Sequence, residues 1–202
     1  MKIFGNPLST RTRQVLTTLH ETQTPYEWVM VDFTTGEHKQ AHHLARQPFG
    51  QVPALTDDGF TLFESHAMCR YINDKAGGQL IPKDLKERAL MEQWMSIEAS
   101  NFTPHTMKFI YHHLMRNSQD EAILAHAQAQ LETTLGIMDS HLTHHEYFAA
   151  DRFTLADIFF MPYLGYCMMT PVKETLAKYP AVMAWWNRVS ERPTWRKACE
   201  MA

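Results

Sequence analysis

Two serine-containing segments stand where helices are predicted to begin, and both have residue types that suit a bound anion. Ser9 and Thr10 precede an apolar stripe at helical spacing, with Arg11 adding positive charge. Ser65 follows Glu64 and opens a second predicted helix. The first N–H groups of a helix lack partners within it and carry the positive end of its dipole. A hydroxyl at such a position acts either as a simple cap or as a hydrogen-bond donor to a bound anion.

Between these segments lies FGQVPAL, residues 49–55, an apolar stretch that contains a proline. Pro53 has no N–H to give a sheet, so it suits the first residue of a strand, an edge or a bulge. One interpretation is a plain trans proline that starts a strand. The other is a tight turn with a cis Val52–Pro53 bond, which leaves the Val52 backbone free to pair with an extended peptide. Only about 5–6% of X–Pro bonds are cis, so the residues alone favour the trans proline.

A histidine cluster is the strongest candidate for a metal site. Among twelve histidines, the HLTHH segment places His141, His144 and His145 at the spacing of one helical face. No cysteine or further paired ligand joins them, as a structural zinc site would require. No metal is therefore predicted.

The elements that would position these residues fall into two groups along the chain. Residues 1–78 follow the order β-α-β-α-β-β-α, which predicts a small α/β domain. Residues 79–86 have the composition of a linker. Residues 87–202 contain helical patterns and no convincing strand. The predicted fold class is therefore α/β plus all-α.

Two signals in the helical half are local. Pro104 predicts a kink in the long amphipathic stretch that begins at residue 85. In RFTLADIF, Thr154 and Asp157 have the spacing of a capping box, and Phe153 and Ile158 have the spacing of a hydrophobic staple. We interpret Asp157 as a structural cap rather than a catalytic acid.

Composition excludes several classes of function. The chain has 202 residues, a net charge of −3, and 45% hydrophobic residues, as in ordinary globular proteins. This charge offers no field that would attract nucleic acid or an anionic membrane. The three scattered cysteines predict no disulfide framework, and no apolar run is long enough for a signal peptide or a membrane span. We therefore expect a cytoplasmic protein.

The motifs GEHK, PFGQVPAL and LFESHAMCRYI, followed by FTLADI, resemble those of cytosolic glutathione transferases in order and separation. The resemblance is strongest to the serine-using, phi-like group, and a bacterial relative of that group is expected. It implies a thioredoxin-like βαβαββα domain followed by a helical bundle domain, with glutathione as co-substrate. Gln47, His66 and Met68 depart from the family pattern and leave the subclass open.

The resemblance also implies roles for individual residues. Ser9 is the implied catalytic residue: its hydroxyl would stabilise the thiolate of glutathione, since a free cysteine thiol has a pKa near 8.5. Thr10 is the neighbour that the sequence cannot distinguish from it. The implied glutathione contacts are Ser9, His38, Lys39, Gln51, Val52, Pro53, Glu64 and Ser65. The implied electrophile contacts are Leu8, Phe33, Tyr111 and Met115.

Within this set each end of glutathione has its own partners. Glu64 would accept the γ-glutamyl ammonium and Ser65 would bind the γ-glutamyl carboxylate. His38 and Lys39 would bind the glycyl carboxylate, with Gln51 as a further polar contact. Each group also has a structural reading, as a helix cap or a solvated loop.

The implied activity is transfer of glutathione to small hydrophobic electrophiles, with glutathione-dependent peroxide reduction as an addition. The alternatives are a non-catalytic carrier and a protein-interaction module built on the same fold. The family also implies a homodimer, in which Phe49 is the candidate to insert into the partner.

Overall fold

The computed structural model describes residues 1–115 and 117–200, which form two compact units. The first unit contains residues 1–81 together with 192–200, and the second contains residues 82–191. Within the described residues, no helix is both long and apolar enough to span a bilayer.

The first unit is built on a four-stranded sheet with the order β2-β1-β3-β4. Its strands are β1 (Lys2–Gly5), β2 (Glu27–Met30), β3 (Ala54–Asp57) and β4 (Phe60–Phe63). β1 is parallel to β2 and antiparallel to β3, and β3 is antiparallel to β4. The helices are α1 (Thr10–Glu21), α2 (Ala41–Leu44) and α3 (Ser65–Lys75), with a 3₁₀ turn at Glu37–Lys39. The predicted thioredoxin-like fold is confirmed.

The β3–β4 turn is tighter than the sequence suggested. The composition of TDDGF, residues 56–60, predicts that these five residues form the hairpin loop, whereas β3 continues to Asp57 and β4 begins at Phe60. Asp58 and Gly59 both have positive φ, at +48° and +85°. Two such residues form the hairpin turn whose twist matches that of the strands.

The second unit is all-helical in its described residues. It comprises α4 (Leu85–Ile97), α5 (Thr103–Leu114), α6 (Glu121–Leu142), α7 (Leu155–Cys167), α8 (Val172–Leu176) and α9 (Pro180–Ser190). A π-helical segment at Glu98–Phe102 separates α4 from α5. The break therefore precedes Pro104, which lies in the first turn of α5, where a missing N–H costs no helical hydrogen bond.

The last helix, α10 (Pro193–Glu200), belongs to the first unit, whereas the sequence pattern grouped it with the helical half. α10 packs on α1, and the Arg192 guanidinium before it donates two hydrogen bonds of 2.7 Å to the Glu21 carboxylate. The predicted linker also differs, because Leu80 and Ile81 are buried and complete the first unit. Both differences arise from packing between residues far apart in sequence.

Candidate active site

The loop before α1 is held by hydrogen bonds that fix the position of Ser9. The Ser9 N–H donates to the Asn6 carbonyl at 2.9 Å. The buried Asn6 side chain donates to the Val31 carbonyl and accepts from the Leu8 N–H, both at 3.0 Å. The Arg13 Nε donates to the Pro7 carbonyl at 2.9 Å. Ser9 is thus presented at the end of β1 by a braced turn.

The Ser9 hydroxyl caps α1 through an oxygen lone pair. The Thr12 N–H donates to Ser9 Oγ at 3.3 Å. Among residues 1–115 and 117–200, no acceptor takes the hydroxyl hydrogen of Ser9. Ser9 is half-buried, whereas the neighbouring Thr10 is only 7% exposed. Of the two hydroxyls that the sequence could not distinguish, Ser9 has the better geometry for donating to a ligand.

The Val52–Pro53 bond is cis, as the second of the two interpretations expects. The Val52 side chain is buried in a cluster with Phe4, Val31 and Ala54. The sheet register begins one residue beyond the proline, where Ala54 pairs with Phe4 and Phe63. The Val52 backbone therefore lies just before the ladder, with its side chain anchored in the core.

Two side chains from the α2 segment hold the backbone of Gln51. The His43 Nε2 donates to the Gln51 carbonyl at 2.7 Å, and the Gln51 N–H donates to Gln47 Oε1 at 3.0 Å. Both side chains are almost fully buried, at 0% and 2% exposure. His43 thus holds the carbonyl and Gln47 the N–H of Gln51, the residue before Val52. The sequence did not indicate this role for either side chain.

The basic loop lies beside the same turn. The exposed Lys39 ammonium donates to the Phe49 carbonyl at 3.0 Å. Gly50 has a φ of +62°, and a Cβ there would lie 2.9 Å from the backbone carbonyl oxygen of His38, so glycine is required on both counts. His38 contacts the Phe33 ring edge-on at 5.1 Å. The structure thereby brings the His38–Lys39 pair to the loop that carries Gln51.

The start of α3 carries the other predicted contacts. Glu64 is the N-cap residue, with an exposed side chain and a strained φ of +70°. The Ser65 hydroxyl donates to Gln14 Oε1 on α1 at 2.8 Å. Ser65 and Gln14 are both buried, at 4% and 0% exposure. A positive φ at a non-glycine residue is uncommon and marks sites where surrounding structure holds the backbone.

Arg11 extends this network between the two helix starts. Its Nη1 donates to Gln14 Oε1 at 3.4 Å and to His66 Nε2 at 3.2 Å. A guanidinium has only donors, so both of these partner atoms must be acceptors. His66, where the sequence departs from the family pattern, therefore belongs to a hydrogen-bonded cluster with Arg11, Gln14 and Ser65.

The four predicted electrophile contacts are all partly exposed apolar residues. Leu8 and Phe33 in the first unit are 52% and 39% exposed. Tyr111 and Met115 in the second unit are 39% and 44% exposed. Tyr111 lies in the last turn of α5, and Met115 follows the end of that helix.

The histidine cluster does not have the predicted geometry. α6 ends at Leu142, so His144 and His145 lie beyond the helix and do not share a helical face with His141. His141 instead stacks on His145 and packs against Trp94, with ring centroids 4.5 and 4.7 Å apart. Within the described residues, no three His, Cys, Asp or Glu side chains are placed to hold a metal ion.

The capping box of α7 has the predicted structure. The Thr154 N–H donates to Asp157 Oδ2 at 2.8 Å, and the Trp185 Nε1 donates to Asp157 Oδ1 at 2.9 Å. Asp157 is fully buried, and this burial raises the pKa of its carboxyl to about 6. Its contacts tie α7 to α9 inside the second unit, which supports a structural role.

These features describe a thioredoxin-like unit with a cis-proline turn before β3, anion-suited helix starts, and a second unit that is all-helical in its described residues. Family models for the N-terminal and C-terminal domains of glutathione S-transferase match residues 1–74 and 102–193. A glutathione S-transferase of Silene vulgaris is 37% identical, with 98% of this chain and 95% of that protein covered.

Solved structures agree with the sequence relatives. Glutathione transferase F7 of Populus trichocarpa has a TM-score of 0.93 and 38% identity, over 99% of this chain and 98% of its own. A maize glutathione S-transferase I in complex with an atrazine glutathione conjugate has a TM-score of 0.91 and 33% identity, over 99% and 96%.

This chain belongs to the glutathione S-transferase family, as a phi-like member. The predicted fold and glutathione transferase function are confirmed. These relatives are from plants, and a bacterial origin stays a prediction.

Proposed function

We propose that this protein binds glutathione along the Val52 backbone and joins it through its sulfur to small hydrophobic electrophiles, with Ser9 stabilising the thiolate. The observation that carries the proposal is the Ser9 hydroxyl. Ser9 is the N-cap residue of α1. Its hydroxyl accepts a hydrogen bond from the Thr12 N–H and retains its own hydrogen for a ligand. In this role Ser9 is a donor to the sulfur and not itself a nucleophile.

The proposed position of glutathione follows from three adjacent features. The cysteinyl part pairs with the N–H and C=O of Val52 as a short added strand beside Pro53. The γ-glutamyl end lies at Glu64 and Ser65, where the N–H groups that start α3 favour a carboxylate. The glycyl carboxylate lies near the basic loop with His38 and Lys39, and Gln51 is a further polar contact.

The expected effect of Ser9 on the pKa of the bound thiol follows from the strength of one hydrogen bond. A hydrogen bond to a charged group contributes about 1.5–3 kcal/mol. One pKa unit corresponds to about 1.36 kcal/mol. A bond from the Ser9 hydroxyl to the sulfur therefore lowers the pKa of the bound thiol by roughly one to two units. The thiolate is the reactive form, so the fraction that can attack an electrophile at neutral pH rises accordingly.

The electrophile contacts remain with the residues predicted from the sequence. Leu8 and Phe33 belong to the glutathione-binding domain that the sequence predicts over residues 1–78. Tyr111 and Met115 belong to the helical domain that it predicts over residues 87–202. All four present apolar surface to solvent, which suits a hydrophobic substrate. The atrazine conjugate bound by the maize neighbour supports this substrate class.

Turnover of a chlorodinitrobenzene-type electrophile by the native chain and by Ser9→Ala tests the proposal. Conjugation at neutral pH should fall about 10–100-fold in the variant, which corresponds to the 1.5–3 kcal/mol of one charged hydrogen bond. Thr10→Val is the matched control and should retain the native rate. An organic hydroperoxide in the same assay measures peroxide reduction. Binding of glutathione without turnover of either substrate would leave the carrier as the better account.

We also propose that the chain forms a homodimer in which Phe49 inserts into the partner. Phe49 is 65% exposed, an unusual position for a phenyl ring. The second unit has a groove of about 360 Å³ between α5 and α6, lined by Pro104, His105, Lys108, Ala122, Ile123, His126 and Ala127. An aromatic side chain of a second copy would cover this mostly apolar surface.

Sedimentation velocity at micromolar concentration tests the dimer. Phe49→Ala should shift the equilibrium toward monomer, and Ile123→Lys should do the same from the groove side. Phe60→Ala is the matched control, because Phe60 is also an exposed phenylalanine, at 47%. A native monomer contradicts the dimer, and a dimer unaffected by Phe49→Ala contradicts the role of Phe49.

A cytoplasmic location is part of the same proposal. Cys69, Cys167 and Cys199 are free thiols, and burial raises the pKa of the first two to about 12. Scattered unpaired cysteines suit a reducing compartment.

A further inference from the structure

The backbone of Val52 carries two polar groups that the described chain does not use. Among residues 1–115 and 117–200, no acceptor takes the Val52 N–H and no donor reaches its carbonyl. Val52 is nevertheless buried, at 8% exposure. Buried backbone polar groups are nearly always paired, because leaving one unpaired costs free energy. Both groups are therefore available to a bound ligand.

The direction of the Val52 N–H is set by the residue before it. The Gln51 carbonyl and the Val52 N–H belong to one peptide group, which is planar and trans. In a trans peptide group the C=O and N–H bonds point in opposite directions. A side chain that holds the Gln51 carbonyl therefore also aims the Val52 N–H.

His43 holds that carbonyl from the α2 segment. Its Nε2 lies 2.7 Å from the Gln51 carbonyl oxygen, and its ring is fully buried. A carbonyl oxygen can only accept, so Nε2 carries the hydrogen. The Gln51 carbonyl is thereby turned toward His43, and the Val52 N–H is turned away from it. Gln47 acts on a different peptide group, because the Gln51 N–H that it accepts belongs to the preceding peptide.

We infer that His43 is a positioning residue for glutathione: by holding the Gln51 carbonyl, it aims the Val52 N–H at the cysteinyl carbonyl of the ligand. The inference rests on the proposed pairing of glutathione with the Val52 backbone, and it gives a role in binding to a fully buried side chain. The hydrogen bond from Val52 forms before the sulfur reacts and persists in the transition state. Its loss should therefore raise the KM for glutathione and leave kcat unchanged.

A glutathione analogue with an (E)-alkene in place of the Cys–Gly peptide bond isolates this contact. The analogue keeps the sulfur, the ammonium and both carboxylates, but it lacks the cysteinyl carbonyl. Dissociation constants for glutathione and the analogue are measured by calorimetry. The native chain should bind the analogue about fivefold more weakly, as expected for the loss of one neutral hydrogen bond. The analogue also lacks the glycyl N–H, so the readout is the change in the affinity ratio between variants.

We expect His43→Leu to weaken glutathione by about fivefold and to leave the affinity of the analogue nearly unchanged. The KM for glutathione should rise by the same factor, with kcat unchanged. His43→Gln, whose side-chain amide can again donate to the Gln51 carbonyl, should recover the native ratio. An equal loss for both ligands in His43→Leu overturns the positioning role and leaves the proposed function intact. A native chain that binds no glutathione overturns both.

His42→Leu is the matched control. His42 is the exposed neighbour of His43, and its Nε2 lies 3.3 Å from Glu37 Oε1, with no hydrogen bond to Gln51 in the described chain. This variant should keep the native affinity ratio. Should His43→Leu fail to fold, His43→Met also lacks a donor, fills more of the space of the imidazole, and carries the same expectation. A native ratio in a folded variant without the donor contradicts the inference.

Discussion

The starts of α1 and α7 use the same kind of residue but differ in what their polar atoms do. At α7, Thr154 and Asp157 are fully buried, and Asp157 accepts from the Trp185 indole, the Phe148 N–H and the Thr154 N–H. Both carboxylate oxygens are thus used inside the second unit. At α1, the half-buried Ser9 hydroxyl accepts one N–H and keeps its hydrogen for another partner.

This difference separates a structural cap from a functional one. A cap whose polar atoms are all bonded within the fold stabilises the fold and has nothing left for a ligand. A cap that retains a donor at an accessible helix start can stabilise an anion there. Changes at the start of α7 should therefore alter stability, and changes at the start of α1 should alter thiol chemistry.

The largest expected effect is the loss of stability in Asp157→Ala. The substitution leaves the Trp185, Phe148 and Thr154 donors buried without an acceptor, at about 1–3 kcal/mol for each group. We expect the free energy of unfolding to fall by at least about 3 kcal/mol, the sum of the lower limits, measured by denaturant titration.

Asp120→Ala is the control for that substitution. Asp120 is also an N-cap residue, at α6, but it is exposed and makes no side-chain cap bond. Its replacement should cost less than about 1 kcal/mol. Equal losses of unfolding free energy in Asp157→Ala and Asp120→Ala would contradict the claim that the fully hydrogen-bonded cap of α7 stabilises the fold.

The raised pKa of Asp157 predicts a pH dependence of stability that the start of α1 lacks. Burial raises the pKa of this carboxyl from 3.8 to about 6, so the folded state binds its proton more tightly than the unfolded state does. The corresponding stability is fully present below about pH 4 and is lost as the pH rises through about 6. A shift of about two units corresponds to about 3 kcal/mol.

The measurement is the difference in unfolding free energy between the native chain and Asp157→Asn, from pH 4 to pH 7.5. The native chain should lose up to about 3 kcal/mol relative to the variant over this range. Burial lowers the pKa of His20 and His141, which destabilises the fold at acid pH in both proteins and cancels in the difference. Parallel curves contradict the prediction.

Local patterns predicted the caps, whereas long-range packing decided the rest of the site. The Thr154–Asp157 box and the Ser9 cap each depend on residues three apart, so spacing alone reveals them. The bond from Ser65 to Gln14 joins residues 51 positions apart, and it ties the start of α3 to α1. Sequence patterns carry no information on that contact.

The same limit explains the other positioning residues. The sequence indicated the turn at Val52–Pro53 from the proline and from the family motif. It gave no sign that His43 and Gln47 hold Gln51, because these bonds depend on how the α2 segment folds back on the turn. The one sequence signal in this region was that Gln47 departs from the family pattern.

The central claim concerns the bound thiol, and its pKa is the most direct test. Thiolate absorbance in the ultraviolet, followed against pH with glutathione bound, gives this pKa for the native chain, Ser9→Ala and Ser9→Gly. Glycine retains most of the capping stability that alanine loses, so agreement between the two variants excludes helix fraying as the cause. We predict a pKa below 8.5 in the native chain and an increase of about one to two units in both variants. An unchanged pKa in Ser9→Ala, with glutathione still bound, would show that Ser9 is only a helix cap.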